Sequence, residues 1–412
     1  MTHDDLVGGR QAGFIGGACR HRGILQVMEI GATAVLFIVA ATLGNMAYAR
    51  IDDLAPPEDL GQTWVEIEGV VYGAKPNELG PIGGGAGYQR TVTDGDYRVA
   101  TVEALRDALE TAQPGEVVYI EPDADIDCTA LVFAETLVLE IPGGVTLASN
   151  RGQDGSRGAR VYSDAFATRP LIRTAGPNVR ITGLWIRGPD PKRRLDHHSR
   201  AFSNPERTEP KEKSGYYYKL PMSDGINAAH PGLEVDNCEL SGWSHAAVFA
   251  TDCHDVHVHH NYIHHNQLNG LGYGVSHSRA QSLIEYNLFN YNRHSIAATG
   301  RPPDAYEARH NVELEHSLSH CFDMHGGRDR KDGTNIAGQW IKIHHNTFRS
   351  PARAIAIRGV PQETAEIHHN WFFHGKPDGA VISPWPTGGD THVRLIDNAY
   401  GVERPALLDE NK

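Results

Sequence analysis

The sequence predicts an all-β chain: one parallel β-helix of stacked coils, closed at its N-terminal end by a helix. Three observations carry this. An apolar–x–x–Asn unit recurs through the second half, at Asn261, Asn287, Asn311, Asn346, Asn370 and Asn398, with Asn237 opening the series. Its steps of 24, 26, 24, 35, 24 and 28 residues are too short for paired-helix repeats and fit single three-stranded coils, the longer steps holding extra loop. A second short strand recurs at the same period, and 44 glycines in 412 residues disfavour a helical bundle.

Charge and composition exclude other classes. The 38 basic and 51 acidic residues leave a net charge of −13, which argues against nucleic acid as a partner. An apolar content of 40% excludes disorder.

Residues 1–49 read as a leader. The mostly apolar run 24–43 follows Arg20, His21 and Arg22, and Ala47-Tyr48-Ala49 places signal cleavage before Arg50. The rival reading of the same run is an uncleaved transmembrane anchor, since a span needs about 20 apolar residues. Either way the bulk of the chain is expected outside the cytoplasm, secreted or periplasmic, and monomeric. Residues 50–94 read as an extension or linker, 95–401 as the β-helix and 402–412 as a tail. Cys128, Cys238, Cys253 and Cys321 form no CxxC spacing and read as buried thiols, with disulfide pairing left open.

Thr101–Ala112 reads as an amphipathic helix, with Val102, Leu105, Leu109 and Ala112 on the face that seals the open strand stack. Val117–Ile120, Leu137–Ile141 and Val179–Leu184 are the first coil strands. Residues 187–222 form a locally basic excursion with Tyr216, Tyr217 and Tyr218, either closing over a groove or lying solvated. The recurring strands that begin at Asp224, His245, Asn269, His294, His320, Arg353 and Gly379 put Ile226, Ala247, Leu271, Ile296, Phe322, Ile355 and Val381 inward. Strict alternation then turns Gly270, Gly272, Gly274, Ser295, Ala297, Thr299, Ala354 and Ala356 outward as a shallow groove, with Cys321 among them and Tyr273, Tyr306 and Met324 inward. Asp323, His325 and Arg358 stand out on that floor of small residues.

The capping helix, the apolar coils, the Asn-marked corner and the His/Asn-rich repeats resemble the pectate-lyase-like superfamily over roughly residues 95–401. The resemblance implies a right-handed coil. Phe322-Asp323-Met324-His325 also resembles the Phe-Asp-Pro-His segment of the mannuronan C5-epimerases. That likeness implies catalytic roles for Asp323 and His325 and uronate chemistry; Met324 replaces the proline, and His320 stands where the family has tyrosine.

The residues point the same way by themselves. Asp323 and His325, two apart on a strand, share a face at about 7 Å, and Arg358 lies one coil on. Removing the proton α to a sugar carboxylate needs a cation for the enediolate and a base near neutrality. Arg358 is the expected cation, His325 or His320 the base, and Asp323 the orienting group. Arg301, Arg328, His294 and Thr299 are the expected substrate-binding residues. His245, His294 and His320 form a column, and His294, His320 and Asp323 could chelate a divalent cation, the cofactor the sequence leaves open. The histidine pairs 259/260, 344/345 and 368/369 read as corner residues. The expected function is a secreted enzyme that cleaves or epimerises an acidic polysaccharide. One alternative is a glycoside hydrolase pairing Asp323 with Asp304, Asp329 or Asp332; another is a non-catalytic adhesion β-helix. Replacing His325 or Arg358 is expected to move stability by less than about 1 kcal/mol.

Overall fold

The computed structural model describes residues 56–202, 216–378, 381–384 and 392–410, apart from 58 and 409. The run 24–43 lies outside them. Among the described residues no helix is long and apolar enough to cross a membrane, which leaves the transmembrane reading without support there.

Short strands of two to six residues alternate with tight corners, and each coil visits three faces in turn. From Asp224–Ala228 the chain passes to Glu234–Asp236, then Glu239–Ser241, and returns one coil on at Ala246–Thr251. Repetition gives sheets of 11, 11 and 9 strands, here called faces one, two and three. Face one runs from Tyr97–Val99 to Val393–Ile396, face two from Asp125–Asp127 to Ala406–Leu407, and face three from Leu139–Ile141 to Ile382–Pro384. Strands pair in parallel, except Ala406–Leu407, which turns back against Ala399–Tyr400. The result is a right-handed parallel β-helix, the sense that parallel crossovers favour. The expected helix forms over Val102–Thr111; the Thr101 side chain caps it, accepting from the Ala104 N–H, and Leu105, Ala108 and Leu109 seal the first coil.

The corner between faces one and two is held by a ladder of buried amides. Asn287 Oδ1 accepts from both the backbone N–H and the Nδ2 of Asn261 at 3.0 Å, and Asn261 Nδ2 also donates to the Val235 carbonyl. The pattern repeats through Asn311, Asn346 and Asn370 to Asn398. Asn237 corrects the expected series: Asn261 Oδ1 accepts from the N–H of Cys238, so Cys238 holds the ladder position. Asn237 sits one residue earlier, in the left-handed conformation at φ 53°. That position recurs as His260, Tyr286, His310, His345 and His369, with φ of 52–55°. Their rings stack from coil to coil at 4.8–5.1 Å, and Tyr72 continues the row beyond His369. The corner reading of the second histidine in each pair thus has a geometric reason. A second ladder, absent from the sequence reading, links the Trp243 N–H, Asn266 and Asn292.

Residues 59–90 lie along this corner. The hairpin Trp64–Ile67/Val70–Gly73 meets the late coils through Gly73 N–H to the His369 carbonyl and Thr347 Oγ1 to the Thr63 carbonyl. Further along the segment, Tyr88 donates to Asp236 and Arg90 pairs with Glu234. Cys128, Cys238, Cys253 and Cys321 are all buried and free.

Face three departs from strict alternation, which changes several assignments. Register aligns Ile226, Val248, Val275, Ile296, Phe322, Ile355 and Ile382, so the expected inward residues Ala247, Leu271 and Val381 are out of register by one, four and one. Adjacent residues also share the core: Ala247 with Val248, Cys321 with Phe322, Ala354 with Ile355. Two consecutive inward positions separate outward positions three residues apart. Cys321 and Ala354 are therefore inside, not on the groove, and Gly274 faces Ile263 within the coil. Gly270 and Gly272 belong to the loop that precedes the strand Tyr273–Ser278. Met324 and Tyr306 are in the core as expected.

One buried acid lies in that core. Glu313 is level with Phe289 and Phe348 on face two and is wholly buried. Burial pushes its pKa up to about 8, against the opposing effect of hydrogen bonds from Ser295 and Ser317.

Two outcomes follow from this architecture. Asn346→Ala removes bonds to Asn311 and the Ala308 carbonyl and leaves buried groups unpaired, which should cost on the order of 3 kcal/mol in denaturant unfolding. Glu313 has a folded pKa above its unfolded value of 4.5, so its contribution to stability is complete below about pH 4.5 and is lost as pH rises towards about 8. Glu313→Gln should remove that slope and raise the melting temperature at pH 8.

Candidate active site

The outward positions of face three make a polar column. Register places Asp224, Ala246, Tyr273 and His294 level, with His245 beside the start of its own strand. Three residues on, Asn227, Phe249, Ser276, Ala297, Asp323 and Ala356 form the next outward row. Because the coils are in register, rings in the first row meet: His245 and Tyr273 at 5.6 Å, Tyr273 and His294 at 5.8 Å, and His294 and His320 at 5.4 Å. At the foot of the column His245 Nδ1 meets the Asp224 carboxylate, which also pairs with Arg169.

Asp323 is the centre. Its side chain is fully buried, yet it lies on the outward face beneath a ring of basic groups. Arg358 grips it with two bonds, Nε to Oδ1 at 2.9 Å and Nη2 to Oδ2 at 2.6 Å. His294 Nε2 and His325 Nε2 each stand 3.5 Å from Oδ2, and His320 Nδ1 stands 3.6 Å from Oδ1. Burial works to raise the carboxyl pKa, but His325 and His294, with His320 and Arg358, outweigh it and hold Asp323 well below the usual carboxylate range.

Backbone carbonyls set the imidazole tautomers. His294 Nδ1 faces the His320 carbonyl at 2.5 Å, and His325 Nδ1 faces the Ala298 carbonyl at 2.9 Å. A carbonyl can only accept, so both rings carry the proton on Nδ1 and turn Nε2 towards Asp323. Burial depresses both pKa values, that of His294 the further, against the opposing pull of Asp323. His325 and His320 keep 21% and 25% of their side-chain surface open, whereas His294 is closed. His320 also has Arg353 Nη1 and Arg358 Nη2 at 3.4 Å from its two nitrogens. Burial raises the Tyr273 hydroxyl, keeping it protonated at neutral pH.

The sequence-derived residues therefore divide. Asp323, His325, Arg358, His320 and His294 converge. Thr299 is turned away, donating to Asp304 Oδ2 at 2.6 Å. Arg301 is exposed on the loop after its strand, and Arg328 is exposed on the short helix Gly327–Arg330. Tyr273, expected in the core, lies instead on the outward face; aligning Val275 with Ile296 places it level with His294. Arg353, which begins one of the recurring strands in the column of His294 and His320, and Arg293 are not among the expected site residues; Arg293 lies over the Tyr273 ring at 5.9 Å. From the 187–222 excursion, the helix Leu195–Phe202 and the turn Tyr217–Lys219 pack on Leu268, with Tyr218 beside Gly270.

His294, His320 and Asp323 offer donor atoms within 4.8 Å of one another, the spacing of a cation site. Each Asp323 oxygen already accepts one bond from Arg358, so a cation would have to share the carboxylate with the guanidinium.

The same pairing overturns the expectation that Arg358 is dispensable for stability. Arg358→Ala leaves a buried carboxylate without its counter-charge and should destabilise by about 3–5 kcal/mol. His325→Gln, which keeps Asp323 paired, should cost less than about 1 kcal/mol in the same unfolding measurement.

No protein-family model matches the chain, and no curated protein matches it. Among solved structures it is similar to the family 28 exopolygalacturonase of Yersinia enterocolitica, at 12% identity and a TM-score of 0.46 over 76% of this chain. The chain spans 63% of that enzyme, less than two thirds of its length. It is also similar to an alginate lyase from Paenibacillus sp., at 13% identity and a TM-score of 0.39, over 74% of this chain and 98% of that one.

Proposed function

We propose that the face-three groove binds an acidic polysaccharide and removes the proton α to a uronate carboxylate, leading to β-elimination or to epimerisation at that carbon. The observation that carries this reading is the outward, fully buried Asp323 with Arg358 and the imidazoles of His294, His320 and His325 converging on it. A buried carboxylate so costly to hold is a poor packing element and a good anchor for basic groups that need fixed orientation.

His325 is the base. Its Nδ1 proton is committed to the Ala298 carbonyl, so Nε2, beside Asp323 Oδ2 on a side chain 21% open, is the nitrogen that takes the proton. Arg353 and His320 receive the substrate carboxylate, at the edge where the arginines leave a positive field despite the chain's net charge of −13. Arg358, with Nε and Nη2 on Asp323 and Nη1 at 3.3 Å from Asp329, is a positioning residue that adds to that field. Tyr273 is the acid. In elimination, the C5 proton passes to His325 Nε2, the C5–H electrons form the C4=C5 bond, and the C4–O bond breaks with O4 taking the Tyr273 proton. In epimerisation Tyr273 returns a proton to C5 from the opposite side. The Phe322–His325 likeness to the mannuronan C5-epimerases agrees with this chemistry, and Tyr273 supplies the tyrosine that His320 displaces from its usual place. We place the activity outside the cytoplasm, on the leader pattern ending at Ala49.

A hydrolase is disfavoured by the same groups. It needs one carboxylic acid kept protonated, yet Asp323 is held ionised, Asp304 is committed to Thr299 and the Ala280 N–H, Asp329 to Arg358 and the Gly326 N–H, and Asp332 to Arg330 and Thr334.

The test is turnover of a panel of polyuronates, followed by ultraviolet absorbance of the unsaturated product and by NMR of C5 configuration. His325→Gln and Tyr273→Phe should each lower kcat by at least about 100-fold while the protein stays folded. The kcat profile should fall on the acid side with a midpoint below 6.5, because burial depresses His325. Wild-type turnover with both variants equally active would refute the assignment.

A further inference from the structure

The corner between faces one and two carries more imidazole than its ladder requires. In the early coils these rings are committed. His259 Nε2 meets Glu234 at 3.0 Å, and His260 Nε2 meets Asn77 at 3.1 Å beneath Tyr88; both rings are buried. The later pairs differ. His344/His345 and His368/His369 lie on adjacent coils, with His344 stacked on His368 at 4.8 Å and His345 on His369 at 5.1 Å. All four rings remain partly open to solvent.

Their nitrogens are arranged for a ligand. His344, His345 and His368 each offer a ring nitrogen, and these lie within 4.8 Å of one another. Within the pairs, Nδ1 faces Nδ1 at 2.9 Å for both His344–His345 and His368–His369. Glu307 Oε1 stands 3.2 Å from His344 Nε2. A carboxylate there holds the proton on Nε2, the outer-shell arrangement that metal-bound histidines use, so His344 Nδ1 accepts from His345 Nδ1–H, and a metal taking that lone pair shifts the His345 proton to Nε2. Tetrahedral nitrogen ligands at 2.0–2.1 Å from a metal are roughly 3.3 Å apart, so small ring tilts close the span.

We propose that His344, His345 and His368 form a site for a divalent transition metal of the zinc, nickel or copper class, which clips two neighbouring coils together. Imidazole-only sets select this class over calcium or magnesium, which need oxygen ligands. The site is on the opposite edge of face one from the groove strands and is independent of the catalytic proposal.

The test is calorimetric titration of the EDTA-stripped full chain with ZnCl2. One equivalent should bind, His344→Gln/His368→Gln should bind at least about tenfold more weakly, and His320→Gln should bind like the wild type. Hydrogen–deuterium exchange of the wild type with and without zinc should show protection at 343–346 and 367–370, a readout that needs no folded variant. Absence of binding, unchanged binding in the corner variant, or protection confined to 294–325 would overturn the proposal.

Discussion

Every coil must bring the chain back to the same three corners, and the buried amide ladder from Asn261 to Asn398 enforces that return. At each step one side chain closes both a backbone N–H and a carbonyl that no strand can pair. That fixes the left-handed residue just before it, which stacks the corner rings, and it fixes strand register on all three faces. Register then decides everything outward. Residues of successive coils sit one strand spacing apart, so chemically unrelated positions such as Tyr273, His294 and His320 become a continuous stack.

The site exploits a departure from the regular strand. Two consecutive inward residues, Cys321 and Phe322, put His320 and Asp323 on the same face although they are three apart. A strictly alternating strand would have separated the imidazole from the carboxylate. Placing Asp323 outward yet out of solvent makes its charge expensive, and Arg358 with the imidazoles offsets that cost. Backbone carbonyls meanwhile give His294 and His325 defined tautomers. Stability and chemistry therefore depend on one carboxylate, and substitutions around it differ sharply in kind: removing Arg358 strands a charge, while altering His325 leaves the pairing intact.

Much of this is legible in the sequence. The asparagine period reveals the coil and the corner, because a ladder only works when its residue recurs. The Asp323–His325–Arg358 cluster is visible because charged residues interrupt a run of small and apolar ones. Errors arise where the repeat loses its marker. Cys238 ends the ladder without being asparagine, so Asn237 draws the register off by one. The loop 269–272 mimics a strand start, which hides Tyr273. Strict alternation misplaces Cys321 and Ala354, where two neighbours share the core. Glu313 gives no warning: an acid level with Phe289 and Phe348 reads like any surface glutamate until the fold turns it inward.

The most direct measurement is a crystal structure of the His325→Gln protein soaked with an oligouronate. The account predicts sugar density along face three, with a uronate carboxylate at Arg353 and His320 and its C5 facing residue 325. Sugar bound on another face, or across face three with its carboxylates turned away from these arginines, would contradict it.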